Sequence, residues 1–321
     1  MENAPSYFEK KEQRFRDLCQ RMLAERALIF ASNRGPVEYN LAPDGSLSAQ
    51  RGSGGLVTAL SSVSRFIPIT WVASAMTDGD RRLAEEATFP IRAPFPDQEI
   101  YLHFMVVPRP VYLRFYFVLC NPLLWFLQHY LWNTPRTPNI GRSIYEAWED
   151  GYVPVNRAFA QCIASEAAKE RRTPFIFLHD YHLYLTPAEV RQLLPDAPIL
   201  HFTHIPWPAP RYWCILPEFM RREIHQKLCA ANIVSFQTMA DVLNFLHCCQ
   251  AFLKGATVDY RACTVTQDDW LTRVTYYPIS VDAAALDQFA ASPEVQHYEE
   301  SLHELRRETT IVRVDRAEPS K

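Results

Sequence analysis

The chain has 321 residues, enough for one large domain or two smaller ones, and 48% of them are hydrophobic against 21% charged. With 33 basic and 36 acidic side chains the net charge is -3, which gives no electrostatic case for a nucleic-acid or anionic-membrane partner. Only 9 residues are glycine, five of them between Gly35 and Gly55, and no G-x-G-x-x-G fingerprint occurs; this excludes collagen-like and glycine-rich architectures and a dinucleotide-binding enzyme of that type.

In chain order, residues 7–26 read as a polar helix with no apolar core of a secretory signal. ALIFAS (27–32) is a short apolar run that stops at Asn33-Arg34-Gly35-Pro36, the pattern of a buried strand and loop. RGSGG (51–55) precedes apolar residues at helical spacing, and ITWVASA (69–75) is a second strand. The most apolar stretch, 100–132, carries Arg109, Arg114, three prolines and two histidines, so it reads as core and not as a membrane span. Helical patterns follow near 121–131 and 143–170, then the strand PFIFLHD (174–180) and a helix over 186–194 with Thr186 as its N-cap. PILHFTH (198–204), NIVSF (232–236) and RVTYYPI (273–279) are further strands, with helices near 217–229 and 238–250 between them. Charged helical sequence fills 284–308, and TTIVRVD (309–315) is a final apolar strand. The eight cysteines show no C-x-x-C and no framework spacing, which suits a reducing cytoplasm.

Continuous apolar strands alternating with helices predict an α/β fold, a Rossmann-like doubly wound parallel sheet. Such sheets bind ligands beyond the carboxyl ends of their strands. Polar clusters fall there: Asn33-Arg34, His179-Asp180, His204 and Asp315-Arg316. Gly54 and Gly55 just before a helix can offer backbone N–H groups to an anion, and Arg34 suits phosphate geometry. His179/His182 and His201/His204 are two H-x-x-H pairs. At strand ends that spacing sends the rings to opposite faces, and no third ligand accompanies either pair, so a metal site is not expected. Hydrogen bonding to a polyhydroxyl ligand, with Asp180 as acceptor, and satisfied core histidines are the two readings that stay open. Trp125 and Tyr116 are core aromatics or cleft-lining platforms, and Arg316 with Lys321 is either a diphosphate-binding pair or a solvated tail.

Together, SNRGPV (32–37), GSGGLVTAL (52–60), NPLLWFLQHY (121–130), FLHDYHLYLTPAEVR (177–191), THIPWP (203–208), SFQT (235–238), YPISVD (277–282) and VDRAEPSK (314–321) resemble the trehalose-6-phosphate synthase family of retaining GT-B glycosyltransferases. The resemblance implies the N-terminal half of a GT-B enzyme: a helical extension over 1–27, a Rossmann-like acceptor domain over 28–282, and a linker helix with the first strand of a donor domain over 283–321. It implies transfer of glucose from a nucleotide-sugar, UDP-glucose, to a phosphorylated acceptor, glucose 6-phosphate, giving trehalose 6-phosphate. Arg34 and Tyr116 resemble contacts to the acceptor phosphate, and Trp125 and Asp180 contacts to the acceptor sugar. Gly54 and Gly55 resemble the loop at the donor diphosphate, His204 the histidine beside the donor glucose, and Arg316 and Lys321 the pair that neutralises the leaving diphosphate. The implied chemistry is same-face substitution through an oxocarbenium-like state. It has no protein nucleophile, the leaving phosphate takes the acceptor proton, and no cofactor or fixed catalytic metal takes part.

Two departures from the family pattern carry expectations of their own. The family reads W-x-G-W where this chain has Trp71-Val72-Ala73-Ser74, so Ser74 stands in place of a tryptophan that touches the acceptor sugar. Glycerol 3-phosphate or a cyclitol phosphate then becomes an alternative acceptor. The sequence also stops at Lys321, where the family continues into the rest of the donor domain. The 321-residue chain alone is therefore expected to be inactive. Alternatives are a non-catalytic phosphosugar-binding subunit, a homo-oligomer, or a donor domain supplied by a separate chain.

Overall fold

The computed structural model describes residues 7–23, 25–52, 57, 60, 63–96, 98–132, 139–281, 283–315 and 317. The chain divides into two compact units, Arg16–Pro278 and one made of Met1–Phe15 with Ile279–Lys321.

The large unit is built on a ten-stranded sheet. In chain order its strands are β1 (Arg26–Ser32), β4 (Ile69–Ser74), β5 (Ile91–Arg92), β6 (Ile100–Met105), β7 (Thr173–His179), β8 (Ile199–Phe202), β9 (Ile233–Phe236), β10 (Thr257–Asp259), β11 (Thr264–Gln267) and β12 (Trp270–Tyr276). A separate hairpin pairs β2 (Val37–Leu41) with β3 (Leu47–Arg51). The sheet order is β10-β11-β12-β9-β8-β7-β1-β4-β6-β5. The run from β12 to β6 is parallel throughout, and β5, β10 and β11 add antiparallel edges. The predicted α/β doubly wound sheet is the observed fold class.

The chain builds outward from β1 through β4 to β6, then returns to place β7 on the other side of β1. That reversal is a topological switch point, and it opens a crevice at the carboxyl ends of β1 and β7. Alternate residues of the inner strands serve two cores. Ile29, Ala31, Val72, Ile176 and Leu178 pack into the larger one, under the helices of one face. Phe30, Trp71 and Ala73 pack into the smaller one on the opposite face, with Phe175 and Phe177 against it. A strand buried on both sides must be apolar at nearly every position, which is why these strands show no alternation in sequence.

The segment Arg109–Gln128 is one continuous helix, apolar and long enough by composition to cross a membrane. In the fold it fills the larger core, with Phe115, Leu119, Cys120, Leu123 and Leu124 buried. Its middle, Arg114–Trp125, is π-helical and contains Pro122. A second π segment, Trp148–Tyr152, lies between the helices Arg142–Ala147 and Val153–Ala167. The two π segments meet at Gly151, where an added Cβ would stand 2.7 Å from the Phe115 backbone nitrogen. Only a residue without a Cβ allows that approach.

Several expectations need correction. The helix predicted over 121–131 begins much earlier, at Arg109, because the apolar run 100–132 divides into strand β6 and this helix. The sequence reading also missed the β2–β3 and β10–β11 hairpins, whose strands are short and half-exposed. Thr186 is not the N-cap; it is the first residue of the helix Thr186–Leu193, and its hydroxyl donates to Asn156 Oδ1 at 2.8 Å. Residues 309–315 form no strand, and Ile311 and Val314 are each 91% exposed. The second unit instead carries the helices Ala283–Ala290 and Pro293–Leu302, the latter capped by Ser292 accepting from the Val295 N–H. Both fall in the charged segment predicted to be helical.

The Gly151 contact yields a direct test. Gly151→Ala should lower stability by about 1–3 kcal/mol through overpacking, read as a lower urea midpoint with unchanged slope; an unchanged midpoint would show that the two segments can separate freely.

Candidate functional site

The site is assembled at the carboxyl ends of β1, β4, β7 and β8. Past β1, Ser32 fixes the path of the chain: its hydroxyl donates to the Arg34 carbonyl at 2.6 Å and accepts from Trp71 Nε1 at 2.8 Å. Asn33 is buried, and its Oδ1 accepts from the Ser74 hydroxyl at 2.9 Å and the Tyr112 hydroxyl at 3.3 Å. Its Nδ2 is buried and has no partner among the described residues.

Arg34 projects from this loop with 46% of its side chain exposed, donating to the Tyr116 hydroxyl at 3.5 Å, with Glu38 at 3.9 Å. The Tyr116 ring stacks between Tyr112 at 5.7 Å and His182 at 5.9 Å, both within 14° of parallel. Burial pushes His182 down to about 3, so the ring beneath this pair is neutral at pH 7. Arg34 is therefore an accessible cation beside a phenol, a donor set that suits a phosphate.

Asp180 follows β7 with φ 73° and ψ 173°, a backbone region that side-chain-bearing residues seldom occupy. Its N–H donates to the Phe202 carbonyl at 2.7 Å, and its own carbonyl accepts from Leu183 N–H at 3.1 Å and His201 Nε2 at 3.2 Å. Downstream, the Tyr152 hydroxyl donates to the Tyr181 carbonyl at 2.6 Å. Fully buried Asn156 holds the rest of the turn, donating to the carbonyls of Tyr152 and His182 and accepting from the N–H groups of Leu185 and Thr186. Burial pushes the Asp180 carboxyl up to about 7, against the opposing pull of backbone N–H groups from His204 and Tyr181. Its Oδ1 accepts the His204 N–H at 3.2 Å.

His204 lies after β8 with its Nε2 3.2 Å from His179 Nδ1. Burial lowers both rings, His204 to about 4 and His179 well below its ordinary value. His179 contacts Phe30 and Phe177 of one core face, whereas His182 contacts Phe115 and Tyr116 of the other. The H-x-x-H spacing thus divides the rings as expected. Among the described residues no group of three His, Cys, Asp or Glu side chains could hold a metal ion. All eight cysteines are free thiols.

Of the predicted residues, the fold gathers Arg34, Tyr116, Asp180 and His204 around the switch point. Trp125 shares a helix with Tyr116, and its ring packs on Phe126 of that helix and on His129, which follows its last residue. Gly54, Gly55, Arg316 and Lys321 lie outside the described residues. Sequence reasoning placed Asn33 in a strand-end polar cluster without giving it a role, and missed Tyr112 and Tyr181, the last donating to Asn121 Oδ1 at 2.9 Å. Asn33 had one signal, its place as the first polar residue past a buried strand. The polar atoms buried without a partner include Asn33 Nδ2, His179 Nε2, His182 Nε2 and His201 Nδ1.

The model of glycosyltransferase family 20 matches residues 26–321. The chain belongs to that family. A trehalose-6-phosphate synthase from Mycobacterium avium is 32% identical to this family 20 chain over 276 residues, covering 84% of it and 52% of the relative. A validamine 7-phosphate valienyltransferase from Streptomyces hygroscopicus subsp. jinggangensis is 29% identical over 265 residues, covering 81% and 52%. Among solved structures, the family 20 fold is matched by an alpha,alpha-trehalose-phosphate synthase (UDP-forming) from Burkholderia xenovorans in complex with glucose-6-phosphate. The TM-score is 0.63 at 23% identity, covering 86% of this chain and 56% of that one. An E. coli structure bound with UDP-2-fluoro glucose matches with TM-score 0.65 at 23% identity, covering 87% and 54%. The chain thus spans about half the length of the curated relatives it matches.

The buried rings make stability depend on pH. His182, His201, His204 and His225 have folded values of about 3 to 4 against an ordinary 6.5. Their contribution is complete above pH 6.5 and is lost as pH falls toward 4, because unfolding releases sites that bind protons. Asp180, raised from 3.8 to about 7, has the opposite sign: it disfavours the folded state increasingly as pH rises through that window. The histidines outnumber it, so the free energy of unfolding should fall between pH 6.5 and 4. Asp180→Asn should raise stability at pH 8 and leave it nearly unchanged at pH 4. Urea titrations across that range check both; an equal gain at pH 4 and pH 8 would exclude the charge as its cause.

Proposed function

We propose that this family 20 chain carries the acceptor half of a retaining glycosyltransferase, one that moves glucose from UDP-glucose to glucose 6-phosphate. The observation that carries the reading is the accessible Arg34 guanidinium beside Tyr116, on a loop that ends one strand from Asp180. Arg34 and Tyr116 bind the acceptor phosphate. Asp180 and Trp125 receive the sugar hydroxyls, Asp180 as a hydrogen-bond acceptor once it is ionised. His204 lies on the donor-sugar side. Departure of the nucleoside diphosphate leaves positive charge on the anomeric carbon and takes up the acceptor hydroxyl proton. Gly54, Gly55, Arg316 and Lys321 are proposed to offset the growing negative charge. Residues 283–321 are then the link to a donor-side domain, in a cytoplasmic protein that needs no resident cofactor.

A second acceptor class is favoured by one observation. Ser74, buried and bonded to Asn33, stands where the family pattern has a tryptophan. The Streptomyces relative is described as acting on validamine 7-phosphate, a different kind of phosphorylated acceptor. A cyclitol phosphate or glycerol 3-phosphate therefore competes with glucose 6-phosphate as the natural substrate.

Calorimetric titration separates these readings. Glucose 6-phosphate should bind the purified chain, and Arg34→Ala should weaken it at least tenfold, the loss of one charge-assisted contact of about 1.5–3 kcal/mol. Binding unaffected by Arg34→Ala would overturn the phosphate assignment. Tighter binding of a cyclitol phosphate or glycerol 3-phosphate would move the proposal to that acceptor. Incubated with UDP-glucose and glucose 6-phosphate, the chain alone should release no UDP; release would show that this half is sufficient.

A further inference from the structure

We infer that His179 sets the tautomer of His204, so that His204 offers a bound ligand an N–H donor at Nδ1 and not a lone pair. His179 Nδ1 and His204 Nε2 are 3.2 Å apart. Both rings are neutral, so each has one N–H and one bare nitrogen, and one ring must donate to the other. Two arrangements satisfy the contact. In the first, His179 donates from Nδ1, its own Nε2 is bare, and the His204 proton sits on Nδ1. In the second, His204 donates from Nε2, and His179 Nε2 carries a proton.

Two other buried histidines of this chain decide between them. His201 Nε2 faces the Asp180 carbonyl at 3.2 Å. A carbonyl only accepts, so the proton is on Nε2, and the Nδ1 left buried without a partner is the bare one. His225 Nδ1 faces the Arg221 carbonyl at 2.6 Å, so its unpartnered buried Nε2 is again bare. In both cases the nitrogen left alone in the interior is the one without a proton. The physical reason is general: an orphaned buried N–H is the rarer and costlier defect. His179 Nε2 is also buried and without a partner. Its proton therefore lies on Nδ1 and is donated to His204 Nε2.

His204 Nε2 is then occupied as an acceptor, and Nδ1–H is the one ring position left for a ligand. Phe30 and Phe177 pack on the His179 ring and Phe202 packs on His204, which holds the two rings in place. Asp180 does not set this tautomer: its Oδ1 is bonded to the His204 backbone N–H, not to the ring. His179 is thus a positioning residue, and the ligand atom facing His204 is an oxygen with a free lone pair, as on a sugar hydroxyl or a phosphate. The identity of that oxygen rests on the glycosyl transfer proposed above; the tautomer does not.

Two-bond 1H–15N correlation spectra of the full chain, labelled with 15N-histidine at pH 7.5, test the inference without any substrate. His204 should show a protonated Nδ1 and a bare Nε2. In His179→Phe the His204 pattern should swing toward the Nε2–H form, and in His179→Asn, whose amide can donate from near the former Nδ1 position, it should return. A protonated Nε2 on His204 in the unsubstituted chain would overturn the inference, and so would an unchanged pattern in His179→Phe. If His179→Phe fails to fold, the unsubstituted and His179→Asn spectra still decide. Because no ligand is needed, failure of the proposed acceptor to bind would leave this result intact, and a wrong tautomer would leave the acceptor assignment intact.

Discussion

The site hangs on one strained residue. Asp180 occupies a backbone conformation that costs on the order of 1–3 kcal/mol, and it persists because the turn around it is held from every side. Strand β8 takes its N–H, the ring of His201 and the backbone of Leu183 share its carbonyl, and Tyr152 and Asn156 hold the residues that follow. Released from those bonds the chain would relax, and the carboxyl group, the His182 ring beneath Tyr116 and the backbone contact to His204 would lose their common frame. Asn156 is central to this: a fully buried amide whose bonds all go to holding the turn or its neighbour Tyr152.

The strain is tolerable because the sheet beneath is rigid. Strands β1 and β7 lie side by side at the point where the winding reverses, and each buries side chains on both faces. This packing puts Asn33, Arg34, His179 and Asp180 within one crevice although some 145 residues separate them in sequence. Family membership and fold agree on this frame. Among the described residues, the crevice also holds buried nitrogens of Asn33, His179, His182 and His201 with no hydrogen-bond partner, a cost that the surrounding packing offsets.

Much of this was legible in the sequence, for a physical reason. Strands buried on both faces must be apolar without interruption, so ALIFAS, ITWVASA and PFIFLHD announce themselves, and the first polar residues past them mark the crevice. The short hairpins escaped because half-exposed strands of three to five residues carry no clear period. TTIVRVD misled for the opposite reason: it has the composition of a buried strand, but a strand exists only where another backbone accepts its hydrogen bonds. The links between side chains could not be read at all. Nothing in the spacing of His179 and His204 shows that they touch, nor that Ser74 and Tyr112 share one oxygen of Asn33.

The π-helical stretch sets the angular relation of Tyr116 and Trp125 along their helix. They are nine residues apart on the helix that contains Arg114–Trp125. In an α-helix of 3.6 residues per turn, nine residues make two and a half turns, and the two rings would emerge on opposite sides. With i→i+5 bonding each turn takes roughly four to five residues, so the same nine make about two turns and the rings come back into phase. Deleting one residue from this segment would remove none of the candidate ligand-binding groups, yet it would rotate one half of them away from the other.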